Sequence, residues 1–547
     1  MAVNDDESPM NPILEETFYI LSKKNCVYKV KLLKVGICLQ KERNGLLTSE
    51  VVLLDDIIGS RCMRSKRRAS DNCVCGPTSN FKSDPQVVDF NSLDGDENDI
   101  SAYLYIYAYI LKNFKMKSGK KRERMTVTLR FRSYDRFEDN MREAPSKWML
   151  TLKEHGNGAL TLLCLRLLHF TSVAVQYINK LLIILNPRSG MSDIPFDLHV
   201  TRFHNDARQL VRSSNLYQWQ RGIIVMGGDG IMHEILNGIM ERLDWHRALE
   251  NLTLGIIPCG SGNGLAKSIG YSCNEPFDEN PVLVSSLNIL CGIKAPLDLM
   301  RFESKSKTVF SFLSVGWGLI ADIDIESERL RVLGSPRFTI WSLARIIGLR
   351  KNEGRLSFLR ISDEKLQGKC LDHSRRDSFH SLCSRKSTYL SAHESDYLSL
   401  SDDCNNSNTQ MFGPPSQIPA LTQPVPPHWT VYEGEFVMVH AVSVSHIASD
   451  CLIAPDAKMS DSVIWLIVIR AGISRTHLFQ CLIGLSSGAH VNVPGVEVIP
   501  VQAFRLEPKS TGSHIVVDGE LLDYEPFQVE IVPGIASVYS RQGSHFL

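Results

Sequence analysis

The chain has 547 residues, room for about three domains, and its 43% apolar content is ordinary for globular cores. Sixty Lys and Arg balance sixty Asp and Glu, so no polyanionic partner, nucleic acid included, is implied for the chain as a whole. Fourteen cysteines lack paired metal-ligand spacing, and the start, Met1-Ala-Val-Asn-Asp-Asp-Glu7, is acidic rather than signal-like, so reduced thiols in a cytosolic protein are expected.

Residues 1–155 read as a β-rich module. Val27–Leu32 and Val35–Leu39 have strand patterns. Ser101–Ile110 alternates tyrosine with aliphatic residues and is predicted to pair with Met125–Phe131 across a basic loop, Lys117–Arg124. A helix with Trp148 near its end would close the unit. The basic loop suits either anionic lipid headgroups or a plain solvated hairpin tip. Two apolar stretches invite a membrane reading, but Thr161–Ile178 contains Arg166 and His169, and Val463–Leu485 is broken by Arg470, Arg475 and His477. A linker helix and a strand–turn–helix are expected instead.

Next come three strands, each ending in a glycine-bearing turn. Leu181–Leu185 leads to Asn186-Pro-Arg-Ser-Gly190, with Arg188 placed to meet phosphate. Gly222–Met226 leads to Gly227-Gly-Asp-Gly230 and a helix, Ile231–Met240. Thr253–Ile257 leads to Pro258-Cys-Gly-Ser-Gly-Asn-Gly264 and a short helix, Leu265–Gly270, where Ser261 and Asn263 can hydrogen-bond a nucleotide. Open α/β sheets bind ligands at the carboxyl ends of their strands. Glycine lets backbone approach a phosphate, and a helix N-terminus attracts it. Asp229 is out of place if that turn only binds an anion; a carboxylate beside a phosphate suits phosphoryl transfer to a hydroxyl.

Only about eleven residues, Asn186 to Phe196, precede the next strand pattern, Asp197–Thr201. A parallel crossover normally takes a dozen or more, including a helix, so this one is expected to be irregular or truncated. Lys365–Pro427 is rich in Ser, Asp, Asn and Pro and is predicted to be a disordered insertion. Phe436–Ser443, Val498–Phe504 and His514–Val517 then suggest an antiparallel sandwich.

Asn186-Pro-Arg188, Gly227–Glu234 and Pro258–Asn263 resemble the catalytic domain shared by diacylglycerol, ceramide and sphingosine kinases. Gly316–Glu328, Arg331, Leu333–Arg337, Val468–Arg475, Ala503–Pro508 and Val517-Asp-Gly-Glu520 are similar to the sphingosine kinases in particular, and the likeness spans roughly residues 178 to 540. The resemblance implies an α/β nucleotide-binding domain over 178–300 and an antiparallel β-sandwich lipid-binding domain over 301–547, carrying the insertion 365–427. A PH-like α+β module over 1–155 would precede them. It implies ATP-dependent phosphorylation of the primary hydroxyl of sphingosine or a related sphingoid base, with Mg²⁺, in a cytoplasmic enzyme recruited peripherally to a membrane surface and open to regulatory protein partners.

In that reading Asp229 accepts the hydroxyl proton. Asn186, Pro187, Arg188, Thr201, Asn205, Gly227, Gly228, Gly230, Glu234, Gly260, Ser261, Gly262, Arg331, Arg337, Asp518, Gly519 and Glu520 correspond to nucleotide positions, with Asp518 also a Mg²⁺ ligand. Asp324 and the Gly227–Gly230 loop would meet the lipid; a carboxylate on an apolar surface selects an amino alcohol over uncharged diacylglycerol. Asp322 is expected to cap or face solvent. Trp317, Leu319, Phe338 and Phe312 are acyl-pocket or core residues, and His233 and His446 are expected to be structural. Ceramide kinase, and a scaffold impaired by the short crossover, are the alternatives; NAD kinase shares the Gly-Gly-Asp-Gly turn but not the C-terminal half.

Overall fold

The computed structural model describes residues 12–19, 27–43, 46–63, 102–114, 119–131, 139–140, 181–185, 196–329, 336–361 and 411–541. The chain divides into two compact units, Met1–Gln176 with Leu290–Gly292 and Tyr177–Ile289 with Ile293–Leu547.

In the first unit β1 (Leu14–Tyr19), β2 (Val27–Leu33), β3 (Gly36–Arg43) and β4 (Leu46–Leu53) form an antiparallel meander. A second antiparallel sheet holds β5 (Ile57–Met63), β6 (Ala102–Asn113) and β7 (Lys120–Phe131). The period-two pattern of β6 sends Leu104, Ile106, Ala108 and Ile110 into one core with Val30, Leu32, Ile37 and Leu39, while Tyr103 and Tyr105 are buried on the other face. The predicted basic loop is largely strand: Lys120–Arg124 belong to β7 and pair with Asn113–Tyr109. The Arg122 side chain is drawn inside because the buried Asp56 needs a counter-charge; its guanidinium lies 2.6 Å from Asp56 and donates to the Tyr109 carbonyl. The helix expected near Trp148 and the stretch 161–178 lie outside the described residues.

The second unit is built on one fourteen-stranded sheet. At one end β8 (Leu181–Leu185), β9 (Phe196–Val200), β10 (Ile223–Gly227) and β11 (Leu254–Pro258) run parallel in the order β9-β8-β10-β11. The helices α1 (Asp206–Ser213), α2 (Asp229–Met240), α3 (Trp245–Asn251), α4 (Gly264–Ser272) and α5 (Pro281–Cys291) follow in the chain. Met232, Ile235, Leu236 and Ile239 recur at helical spacing on α2 and share a core with Ile223, Val225, Leu254 and Ile256. β8 and β9 are parallel, Leu181 opposite Phe196 and Leu185 opposite Val200, despite the short link. An extended chain advances about 3.3–3.6 Å per residue, so even this link can return along a five-residue strand without a helix. The link itself, 186–195, lies outside the described residues.

The boundary expected at residue 300 falls inside β12 (Ile293–Ser304), which pairs antiparallel with β23 (Phe527–Ser540). β23 also meets β11 in parallel at Val538 and Leu254, so the sheet continues from the catalytic half into the C-terminal half. That half contains β13 (Thr308–Ser311), β14 (Ser314–Gly318), α6 (Leu319–Ser327), α7 (Pro336–Ile347), β15 (Asn352–Arg360), β16 (Thr430–Val442), β17 (His446–Ala448), β18 (Cys451–Leu452), β19 (Ile464–Arg470), α8 (Arg475–Gly484), β20 (Val496–Pro508), β21 (Ile515–Val517) and β22 (Glu520–Leu522).

β16 pairs with β15 along its first half and with β19 along its second. The strands enclose Phe302, Trp317, Phe358, Phe436, Phe504 and Phe527. A separate apolar layer joins Val442, Ile467 and Ile469 to Leu319 and Ile323 of α6 and Leu478 and Cys481 of α8. Val463–Leu485 is β19 followed by α8, as its charges predict, and no described helix is long and apolar enough to cross a membrane.

The insertion expected to be disordered over 365–427 needs correction at its end. Residues 411–427 are ordered, with Met411 and Phe412 packed against the α/β core. The buried Arg505 guanidinium donates to the carbonyls of Pro419 (2.9 Å), Ala420 (3.0 Å), Leu421 (3.4 Å) and Gln423 (2.6 Å). Average composition hides this because the contacts use backbone carbonyls, which every residue type supplies. Residues 365–410 lie outside the described residues.

Candidate active site

β10 delivers Gly227-Gly-Asp-Gly230 to the head of α2, and β11 delivers Cys259–Asn263 to the head of α4. The two turns touch backbone to backbone. A Cβ on Gly260 would stand 2.5 Å from the Gly228 Cα, and one on Gly228 would stand 3.1 Å from the Gly260 Cα. These glycines are therefore required for the loops to meet, in addition to any close approach to phosphate. Asn263, at φ 58°, accepts from the Gly260 amide (3.0 Å) and donates to the Gly260 carbonyl (2.8 Å). It closes its own turn instead of reaching for a nucleotide, while Ser261 is exposed at the tip.

Asp229 is buried and accepts from the first amides of α4, Gly264 N (2.8 Å) and Leu265 N (3.2 Å). Burial pushes its carboxyl up to about 6; the amides of Gly264 and Leu265 pull the other way, and the Asp518 charge adds to the rise. It is a stronger base than an ordinary aspartate, better matched to taking a proton near neutrality.

Asp518 corrects the expectation of a Mg²⁺ ligand. Its Oδ1 accepts from Ser311 Oγ (2.6 Å), Leu313 N (3.1 Å) and Ser314 N (3.0 Å). Its Oδ2 accepts from His233 Nδ1 (2.9 Å) and Phe312 N (3.3 Å). A carboxylate has about four acceptor sites, so these five donors saturate it and no site remains for a cation. Asp518 instead ties the β13–β14 turn to α2 through His233, which is structural as expected. Among the described residues no group of three or more His, Cys, Asp or Glu is arranged to hold a metal ion.

The turn after Asp518 joins the pieces of the site. A Cβ on Gly519 (φ 89°) would lie 3.9 Å from Asp324 Oδ2, and one on Gly230 would lie 4.0 Å from Glu520 Oε1. The half-buried Asp324 and Glu520 therefore sit on either side of one turn, beside the loop that carries Asp229. Asp322 neither caps its helix nor faces solvent. It is buried and accepts from Ser513 Oγ (2.8 Å), His514 N (2.9 Å) and His514 Nδ1 (2.9 Å), which fixes the roll of α6 and so the direction of Asp324.

Glu234 accepts from Ala207 N (3.2 Å) at the start of α1, just after the half-buried Asn205, and Thr201 follows the end of β9. Gly262 borders Asp229: a Cβ there would stand 3.2 Å from Asp229 Oδ2. Asn186, Pro187, Arg188 and Arg331 lie outside the described residues, and of Arg337 and Phe338 only the backbone, in the first turn of α7, is described. Trp317, whose Nε1 donates to Tyr524 Oη (3.0 Å), and Phe312 are core residues; Leu319 lies in the apolar layer under the helices. His446 is structural: Ser445 Oγ is 2.9 Å from its Nδ1 and its amide donates to Ser268 Oγ. Ser311 and the two α4 amides were missed because each lies dozens to hundreds of residues from its carboxylate, and no local pattern marks it.

Two family models match the chain: the diacylglycerol kinase catalytic domain over residues 185–286, and the YegS C-terminal NAD kinase beta sandwich-like domain over 429–540. Human sphingosine kinase 1 is 33% identical across 65% of this chain and 89% of its own length. The chain belongs to the sphingosine kinase family. Human sphingosine kinase 2 is 29% identical across 81% of the chain and 82% of its own length, and Arabidopsis thaliana sphingosine kinase 1 is 30% identical across 66% and 76%. Within the family the fold is a diacylglycerol-kinase-like catalytic domain with a C-terminal β-sandwich, and the chain is a lipid kinase.

Proposed function

We infer that the chain transfers the γ-phosphate of ATP to the primary hydroxyl of a sphingoid base, forming sphingosine 1-phosphate from sphingosine. The observation that carries this reading is Asp229, buried in one glycine turn and against the other, its carboxyl raised to about 6, with Asp324 across the Gly519 turn. The hydroxyl oxygen forms a bond to the γ-phosphorus as the bond to the β–γ bridging oxygen breaks, and the hydroxyl proton passes late to Asp229. Backbone of Gly227, Gly228, Gly230, Gly260 and Gly262, with Arg188, Arg331 and Arg337, holds phosphate charge. Glu520, Thr201, Asn205 and Ser261 border the nucleotide, and Asp324 receives the substrate ammonium. Magnesium would accompany ATP and supply counter-charge to its phosphates; the Asp518 carboxylate, saturated by protein donors, does not fit it.

Ceramide, whose nitrogen is an uncharged amide, gives Asp324 no partner of opposite charge. Work at a membrane surface is supported by exposed Ile340, Leu343 and Ile347 on α7 and Phe479 and Ile483 on α8, two helices joined where Arg475 donates to the Ile346 and Ile347 carbonyls. The two sheets of the N-terminal unit suit a PH-like module, and the five described free thiols, Cys38, Cys259, Cys273, Cys451 and Cys481, suit a cytoplasmic enzyme. The test is transfer from labelled ATP to sphingosine, sphinganine, ceramide and diacylglycerol. Faster use of ceramide or diacylglycerol than of the free bases would overturn the reading.

A further inference from the structure

His440 lies near the carboxyl end of β16, between Val439 and Ala441, which face the enclosed aromatic core. Strand alternation places it with Met438 and Val442, on the side covered by α6 and α8. The residue is 4% exposed, and neither of its ring nitrogens has a hydrogen-bond partner among the described residues. Burial pushes its pKa down to about 4, so near neutrality the ring is uncharged, with one N–H donor and one acceptor nitrogen, both unmet. Such a group in an apolar layer destabilises the fold, whereas leucine there would not.

The surroundings are shaped to keep the ring where it is. Gly316 pairs with His440 across β14 and β16, and a Cβ on Gly316 would stand 2.6 Å from His440 Nδ1 and 3.6 Å from Ala321 Cβ. Glycine at 316 thus admits the ring beside α6. Ala321 is three residues before Asp324 on that helix, a rise of about 4.5 Å. The unmet imidazole and the carboxylate assigned to the substrate ammonium therefore both border α6, the ring through Gly316 and Ala321 and the carboxylate from Asp324 itself.

We propose that His440 is a specificity-determining residue that hydrogen-bonds a hydroxyl on the hydrocarbon chain of the sphingoid base, so that the enzyme favours trihydroxy bases over dihydroxy ones. The inference rests on the sphingoid-base reading above. A hydroxyl both donates and accepts, which matches a neutral imidazole. An ionised ligand group does not suit this layer, where Leu319, Ile323, Met438 and Val442 offer no counter-charge.

The test compares the full-length protein with His440→Leu and His440→Gln, using sphinganine and 4-hydroxysphinganine. Two quantities are read for each base: kcat/KM with ATP, and Kd by calorimetry without ATP. The wild type is expected to favour the 4-hydroxy base by about fivefold or more, the size of one buried neutral hydrogen bond. His440→Leu should abolish the preference, and His440→Gln, which keeps a donor and an acceptor, should retain part of it. Should His440→Leu fail to fold, a wild-type preference for the plain base overturns the proposal. So does the same ratio in the wild type and His440→Gln as in any other folded position-440 variant. Selective binding that depends on His440 without turnover of either base supports the proposal and instead defeats the kinase reading.

Discussion

Replacing Asp229 with Asn should abolish phosphate transfer while making the folded protein more stable at neutral pH. The carboxyl titrates near 6 in the folded chain against 3.8 in its absence, a difference of about 2 units, or about 3 kcal/mol at 1.36 kcal/mol per unit. Because the folded value is raised, the stability linked to this group is fully present below pH 3.8. It is lost as pH rises through 6, so at pH 7.5 the ionised carboxylate opposes folding. Asn removes that charge but has one acceptor oxygen for two amides, Gly264 N and Leu265 N, so one hydrogen bond worth about 1–2 kcal/mol goes with it. The net expectation is a gain of about 1–2 kcal/mol at pH 7.5 that turns into a loss at pH 4. Urea unfolding at both pH values, beside transfer from labelled ATP to sphingosine, measures each half. Turnover within tenfold of wild type would refute the proton-acceptor role, and an equal stability difference at the two pH values would refute the raised carboxyl. In the wild type, kcat should fall about tenfold per pH unit below 6.

Three further outcomes are expected. Asp324→Ala should raise the KM for sphingosine about ten- to hundredfold and leave the KM for ATP nearly unchanged, since one charged hydrogen bond is worth about 1.5–3 kcal/mol; equal losses on both substrates would mark a folding defect. Asp518→Asn should lower stability by about 2–4 kcal/mol by leaving buried donors unmatched, and the Mg²⁺ concentration for half-maximal activity should stay put; a large rise in that concentration would restore the metal-ligand role. Removing 365–410 behind a flexible linker should leave the melting temperature nearly unchanged, whereas removing 365–427 should lower it clearly, because Arg505 then stays buried without its carbonyls; matching melts would show that the 411–427 segment contributes nothing.

Where a residue's task depended on its neighbours in the chain, the sequence was enough. Glycine turns after apolar strands, Asp229 heading a helix, the strand–turn–helix of Val463–Leu485 and the family likeness are all local patterns, set by backbone freedom and hydrophobic period. Where the task depended on a distant partner, the same letters misled. Asp518 has the residue type of a metal ligand, but Ser311 and three successive amides meet it only after β21 pairs with β14. Lys120–Arg124 look like a solvated loop until Asp56 draws Arg122 inside, and 411–427 look disordered until Arg505 gathers their carbonyls. Burial raises Asp229 and orphans His440, and neither burial is written in the residues around them. Hydrogen-bond saturation and desolvation are properties of the assembled neighbourhood, so the chain determined which chemistry was on offer and the packing decided which side chains were left free to perform it.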